Sequence, residues 1–436
     1  MADISRMTTR RVRSLHTFEA FGNHSYRLLW TANFFAYVSR WMQMTLLGWL
    51  VLEMTSSPLR VALVGFFGML PLLMLGMIGG VLADRANRHR LLIITQIGSF
   101  IAALAITALL QTELVRFWHA YVVIFATGVG WALDMPSRRS VVHDLVGRSG
   151  VTNAIALDSV GMHGSRMIGP ALAGGLIAMV DVSGGYIVVS VLLVVAVALI
   201  WAVSLPPQGS RGLASSNVIR NLVEGLRYVR SNNALLATVL VTILMNLLLF
   251  PYVQLIPVIA RDVLRIGPGL MGTLLAVEGL GALIGAVVIA SKGNIRYHGR
   301  YYMGGSMLGL IMVLLFSLSH SYLMSLPILL ILGLGTSGFG TMQATIVMLL
   351  ARDEMRGRAL GVISLAIGAG PLGALMIGAI ASVTDASFAI GIHAVLGIAS
   401  LLLVALMMPS LRRQTVPDAA DPEPEDGVPQ RARAVP

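Results

Sequence analysis

Gly80-Val81-Leu82-Ala83-Asp84-Arg85-Ala86-Asn87-Arg88-His89-Arg90 closes one long apolar run and opens the next. The run before it extends from Val61 to Ala83, and the run after it begins at Leu91. The link is short, with Asp84 first and Arg85, Arg88, His89 and Arg90 behind it. Two apolar stretches joined this way deliver a carboxylate and a cluster of arginines to one face of a bilayer.

The rest of the chain has the matching character. Hydrophobic residues make up 56% of the 436 residues and charged residues 12%, against about 25% charged in an ordinary soluble domain. The apolar residues gather in runs long enough to span a membrane, so the class is an all-α membrane protein. The first 25 residues are polar and basic, with Arg6, Arg10, Arg11 and Arg13, and do not read as a cleaved signal peptide. The absence of cysteine excludes disulfides and thiolate metal sites. No phosphate-binding Walker loop, no metal-ligand spacing of His and carboxylates, and no nucleophile–base–orienter set is present, so neither a cofactor nor an enzyme activity is expected. The net charge of +11 reads as basic loops facing the cytoplasm, not as a nucleic-acid surface.

The apolar runs predict twelve spans. Those of the first half are Leu28–Val51, Val61–Ala83, Leu91–Gln111, Phe117–Met135, Asn153–Met179 and Gly184–Leu205. Those of the second are Ala234–Val258, Leu270–Ala290, Tyr301–Leu318, Leu323–Leu350, Ala359–Val383 and Phe388–Met408. With both termini on one side, that side holds 25 of the 31 Lys and Arg, the opposite loops hold Arg60, Arg116, Arg261 and Arg265, and Arg40 and Arg166 fall within spans. The asymmetry predicts that both termini and the Asp84 link are cytoplasmic. The expected organisation is a cytoplasmic segment 1–27, a six-helix bundle 28–205, a linker 206–233, a second six-helix bundle 234–408, and a disordered cytoplasmic tail 409–436. Within the linker, Val218 to Arg230 has apolar residues at helical spacing with arginines opposite, which predicts an interfacial helix. The halves echo one another, with Gly169-Pro170 in the fifth span recurring as Gly370-Pro371 in the eleventh. Ala290 stands where the second half would need a counterpart to Asp84.

The pattern G-x-L-A-D-R-x-x-R-x-R resembles the signature between the second and third helices of major facilitator transporters. Trp41-Met42-Gln43, Asp134-Met135-Pro136-Ser137-Arg138, Asn153 to Leu157, Arg166 to Gly174 and Arg356-Gly357-Arg358 extend the resemblance over His24 to Met408. Within that superfamily the chain is most similar to the bacterial enterobactin-exporter and macrolide-efflux branch. The resemblance implies a major facilitator fold in a bacterial cytoplasmic membrane, acting as a monomer. It also implies a cytoplasmic gate in which Asp84 meets the start of the eleventh helix and an arginine of the fourth, Arg138 or Arg139. Gly80, Arg85, Arg88 and Asp134 belong to the same gate. Ser165, Gly169-Pro170, Ala173 and Gly174 resemble the superfamily's antiporter motif, which favours export. A kinked helix with small residues also suits ordinary close packing.

Charges inside spans are few, and each costs at least ~2.5 kcal/mol at mid-bilayer. Asn33, Tyr37, Arg40 and Met44 follow at spacings of four, three and four, one stripe of the first helix. In the superfamily that helix lines the central cavity, so the stripe is expected to face cargo. Asn246 and Gln254, flanking Pro251, are further cavity candidates. Arg166 and Glu278 both fall near mid-membrane at ~1.5 Å rise per residue, on helices that meet across the two halves of this fold. They are the candidates for proton coupling, with Asp158 as the rival partner of Arg166; a static ion pair is the alternative. The expectation is a proton-coupled exporter of a small amphipathic molecule, siderophore or drug-like. Uptake, facilitated diffusion or a non-transporting receptor on the same fold are the alternatives.

Overall fold

The computed structural model describes residues 16–85, 87–205, 218–292 and 295–412, excluding the side chains of 16–18, 76–85, 136, 139, 148, 149, 152, 218, 219 and 412. Among the described residues every regular element is helical. Helix is the form that satisfies each backbone group within its own segment, as lipid demands.

α1 (His24–Thr55) starts on Asn23, whose side chain accepts from Tyr26 N, and stops at Ser56 in the left-handed region. α2 (Pro58–Arg85) and α3 (Arg88–Gln111) follow. Asn87, three residues after Asp84 in the same link, caps α3 by accepting from Arg90 N. α4 (Phe117–Trp201) is one assigned helix with non-helical backbone at Gly147 and at Val180–Asp181, which divides it into limbs 117–146, 148–179 and 182–201. The stretch 136–152, expected as a loop between spans, is therefore helical except at Gly147. Within it Arg138 pairs with Asp134 and Asp144 with Arg88, and the helical backbone is interrupted where Gly147 takes φ 65°.

The second part opens with α5 (Val218–Ser231), α6 (Asn233–Leu244) and α7 (Tyr252–Val258). Single π-turns at Met245–Leu249 and Ile259–Val263 bracket α7, one just before Pro251 and one just after Pro257. Proline withholds the donor that a regular ladder needs, and the widened turns absorb the mismatch. α8 (Pro268–Ser291), α9 (His298–Ser317), α10 (Tyr322–Leu350), α11 (Arg356–Ile367), α12 (Gly370–Val383) and α13 (Ala386–Met407) complete the chain. The break between α11 and α12 falls just ahead of Pro371, whose ring opposes the carbonyl four residues earlier. Pro170, its echo, lies in an unbroken limb of α4.

Nine stretches of the described residues are long and apolar enough to cross a membrane. α1, with 32 residues, is outside that set because Asn33, Arg40 and Gln43 dilute its hydropathy. Large apolar side chains such as Val122, Ile155, Val287 and Leu403 stand more than half exposed, a belt that suits a lipid solvent and not water. α1 packs on α4 and α2; α4 crosses α8, and α2 crosses α12. These last two crossings join the part before α5 to the part after it, and the site lies between them.

Candidate substrate cavity and its charged pair

A cavity of about 180 Å³ lies where α1, α2, the second limb of α4, the α6–α7 region and α8 converge. Its wall holds Arg166 and Glu278, whose Nη2 and Oε1 are 2.8 Å apart. Glu278 is 2% exposed, while the Arg166 side chain keeps 20%. Arg166 therefore takes its ion-pair partner from α8, not from Asp158 on its own helix. Asp158 instead accepts from Asn33 Nδ2 at 3.4 Å. Beneath the guanidinium lies the Trp41 ring, 5.4 Å from Arg166 Cζ to the ring centroid, a cation–π arrangement.

The polar candidates of the α6–α7 region also reach the cavity. Asn246, in the first π-turn, donates Nδ2 to Thr242 O at 2.9 Å. Thr242 is tied in turn to Gln343 Nε2 at 2.8 Å and to the Tyr302 hydroxyl at 2.9 Å. Gln254 lies across α2 so closely that a Cβ on Gly65 would fall 2.2 Å from its Cδ.

The predicted stripe of α1 divides. Met44 lines the cavity together with Trp41, Thr45 and Gly48, the i, i+3, i+4, i+7 face. Tyr37 and Arg40 face the first limb of α4 instead, and Asn33 lies between Arg138 of the first limb and Asp158 of the second. Arg40 lies over Trp131 at 4.6 Å, and Tyr37 meets the same ring edge-on at 5.5 Å. Trp41 lines the cavity although the polar stripe Asn33, Tyr37, Arg40 and Met44 does not include it. The signal was the small and aromatic series 41, 44, 45, 48.

Arg40, Gln43, Gln96, Thr127 and Asp134 line a separate chamber of about 30 Å³ between α1, α3 and α4. Asp134, 2% exposed, pairs through Oδ2 with Arg138 Nε at 2.5 Å and accepts from Gln96 Nε2 at 3.3 Å. Arg138 Nη1 also donates to Asn33 Oδ1. Arg88 pairs with Asp144 Oδ2 at 2.7 Å, a partner the sequence reading did not name. These pairs join α1, α3 and α4 to one another. Gly80, Asp84, Arg85 and Arg139, the rest of the predicted gate, lie outside the described side chains.

Gly169, Pro170 and Gly174 act through packing distance. A Cβ on Gly169 would lie 2.6 Å from Trp41 Cβ, so this glycine seats the tryptophan. A Cβ on Gly174 would lie 2.5 Å from Pro268 O and 2.7 Å from Gly272 Cα. Pro170 lines the cavity, and its carbonyl would be 2.6 Å from a Cβ on Gly272. The small residues bring α4 and α8 to backbone contact, close enough for Arg166 to reach Glu278.

Among the described residues no group of three or more His, Asp or Glu is placed to hold a metal. The fold has counterparts among solved structures. A bacterial homologue of the human lysosomal transporter Spinster, solved inward-facing and unoccupied, superposes with a TM-score of 0.72 at 13% identity, covering 89% of this chain and 98% of that one. The Staphyloferrin A transporter of Staphylococcus aureus is 24% identical over 82% of this chain and 89% of its own length. The Multidrug efflux pump Tap of Mycolicibacterium fortuitum is 28% identical over 84% and 90%. The family described as Transmembrane secretion effector matches residues 15–433. The chain belongs to this family of major facilitator transporters and is a multi-pass membrane transporter rather than an enzyme.

Proposed function

We propose that this chain exports a small amphipathic molecule, siderophore or drug-like, against an inward flow of protons, by alternating access between two six-helix bundles, 28–205 and 234–408. In this reading it works as a monomer in a bacterial cytoplasmic membrane with both termini in the cytoplasm. Glu278 takes and releases the proton, and Arg166 sets when it does so. The observation that carries the reading is the Arg166–Glu278 pair, at 2.8 Å, in the wall of a mostly apolar cavity between the two parts of the chain.

A charge that deep is costly unless it is used or neutralised. While Glu278 is ionised, Arg166 is held against α8 and the cavity keeps its shape for cargo. Protonation from the outer side removes the attraction, frees the guanidinium and loosens the α4–α8 crossing as cargo leaves. Trp41, Met44, Met69, Phe250 and Leu275 offer apolar and polarisable surface, while Asn246 and Gln254 orient polar groups. The names of the relatives support the substrate class: one is a transporter of staphyloferrin A and another a multidrug efflux pump.

The test is transport into inverted membrane vesicles under an imposed pH gradient, using a macrolide, a carboxylate siderophore and an amphipathic dye. The expected result is gradient-driven uptake of at least one compound, abolished by Glu278→Gln. Uptake that survives Glu278→Gln would remove Glu278 as the carrier. Movement that ignores the gradient would make the protein a facilitator, and no movement of any compound would favour a receptor.

A further inference from the structure

α5 lies where three membrane-crossing stretches end. It runs directly into the stretch Asn233–Val263, and it touches Arg352, in the link between α10 and α11, and α11 itself. One side of it is fastened. A Cβ on Gly225 would lie 2.8 Å from Arg358 O, Glu224 Oε2 is 2.7 Å from Arg358 Nη1, and Tyr228 Oη accepts from Arg352 N at 3.0 Å. Val229 completes that side, fully buried.

The other side is solvent-exposed. Arg220, Val223, Leu226, Arg227 and Arg230 are all exposed, Val223 at 50% and Leu226 at 47%. At about 100° per residue these five fall within roughly a third of the helix circumference. Three guanidinium groups are thus interleaved with two bare apolar side chains on one face. Glu224, the sole acid of α5, is engaged by Arg220 at 2.7 Å and by Arg358, so the face carries no competing negative charge. Water suits the arginines but not the apolar pair, and a hydrocarbon phase suits only the apolar pair. The boundary where phosphates overlie acyl chains suits both. Arginine also presents a fork that matches phosphate oxygens.

We propose that the exposed face of α5 binds the anionic phospholipid head groups of the adjoining leaflet, pinning α5, and α11 with it, to the membrane surface. This inference does not rest on the export reading. The chain has no cysteine, so Val223→Cys and Leu226→Cys can each carry a single spin label in the full-length protein. In nanodiscs of phosphatidylcholine containing phosphatidylglycerol, both labels should be more accessible to oxygen than to a water-soluble nickel chelate. In native mass spectrometry the protein should retain phosphatidylglycerol over phosphatidylcholine. That preference should fall roughly tenfold or more in Arg220→Gln/Arg227→Gln/Arg230→Gln, on the scale set by three surface arginines. The corresponding triple lysine variant should keep most of it. Labels that face water in these discs, or a preference unchanged by the glutamine variant, would overturn the proposal. Loss of the preference in the lysine variant as well would remove head-group charge as its source.

Discussion

Arg166 Nη2 and Glu278 Oε1 stand 2.8 Å apart, closing a cavity wall between α4 and α8. Gly279 lets the backbone of Met167 approach to where a Cβ would be 2.8 Å from its nitrogen, and Gly272 meets Gly174 one level further along.

Removing one member of this pair should cost more than removing both. Glu278→Gln leaves Arg166 without its counter-charge in a desolvated site, and the loss is expected at about 3–5 kcal/mol. The double variant Arg166→Gln/Glu278→Gln should recover most of that stability without recovering proton coupling. Thermal unfolding in detergent, run beside vesicle transport, measures both. Equal stability of the single and double variants would show that the pair does not hold α4 to α8.

Trp41 and Arg40 should separate in function although they are neighbours. Trp41→Ala removes the ring under Arg166 and part of the cavity wall, a cation–π loss of about 0.5–2 kcal/mol before the lost apolar contact is counted. Cargo affinity should drop by roughly tenfold. Arg40→Gln, facing Trp131, should leave cargo affinity within about twofold while lowering the melting temperature. Titration of ligand-dependent thermal shift distinguishes the two, and a larger affinity loss in Arg40→Gln would reverse the assignment of faces.

Adjacent glycines of α4 should respond in opposite ways. A side chain on Gly174 meets the backbone of α8 at under 3 Å, whereas a Cβ on Gly175 has no heavy atom within 4 Å. Gly174→Val is expected to destabilise by about 1–3 kcal/mol through overpacking. Gly175→Ala should be neutral or stabilise by up to about 1 kcal/mol, since alanine restricts the unfolded chain and favours helix. Melting curves of the two purified variants provide the comparison.

The α5–α11 clamp should resist mild acid. The hydrogen bond from Arg220 holds the Glu224 carboxyl below its ordinary range. A carboxylate whose folded value is depressed contributes above its unfolded value and loses that contribution as pH falls through the folded one. The clamp should therefore persist through the ordinary carboxylate range and loosen only below it. Labels on α5 and α11, introduced as single cysteines, report this as a distance that stays constant until strongly acidic pH. In Arg220→Gln the same loosening should move upward in pH.

Much of this architecture was legible because lipid leaves the backbone few options. Long apolar runs had to be helical, and the Asp84 link had to sit between two of them. Asn87 in that link proved to be a helix cap, a role its residue type permits. Arg166 and Glu278 stood out as charges within apolar runs. The helical course of 136–152 was not legible, because its charged residues look like a loop, and contacts such as Arg138 with Asn33 of α1 and Asp144 with Arg88 of α3 exist only once the helices are packed.

The amino-acid sequence by itself determined that the chain is helical, membrane-embedded and of a transporter family, because hydropathy and short motifs are properties of a segment taken alone. It also marked Arg166 and Glu278 as charges inside apolar runs. Only the tertiary structure decided which face of α1 meets the cavity, and that Arg166 pairs with Glu278 rather than Asp158. A membrane helix is apolar on nearly every side, so periodicity does not mark the face that packs inward. Gly169 seating Trp41, and Gly174 admitting α8, supplied that choice through contact.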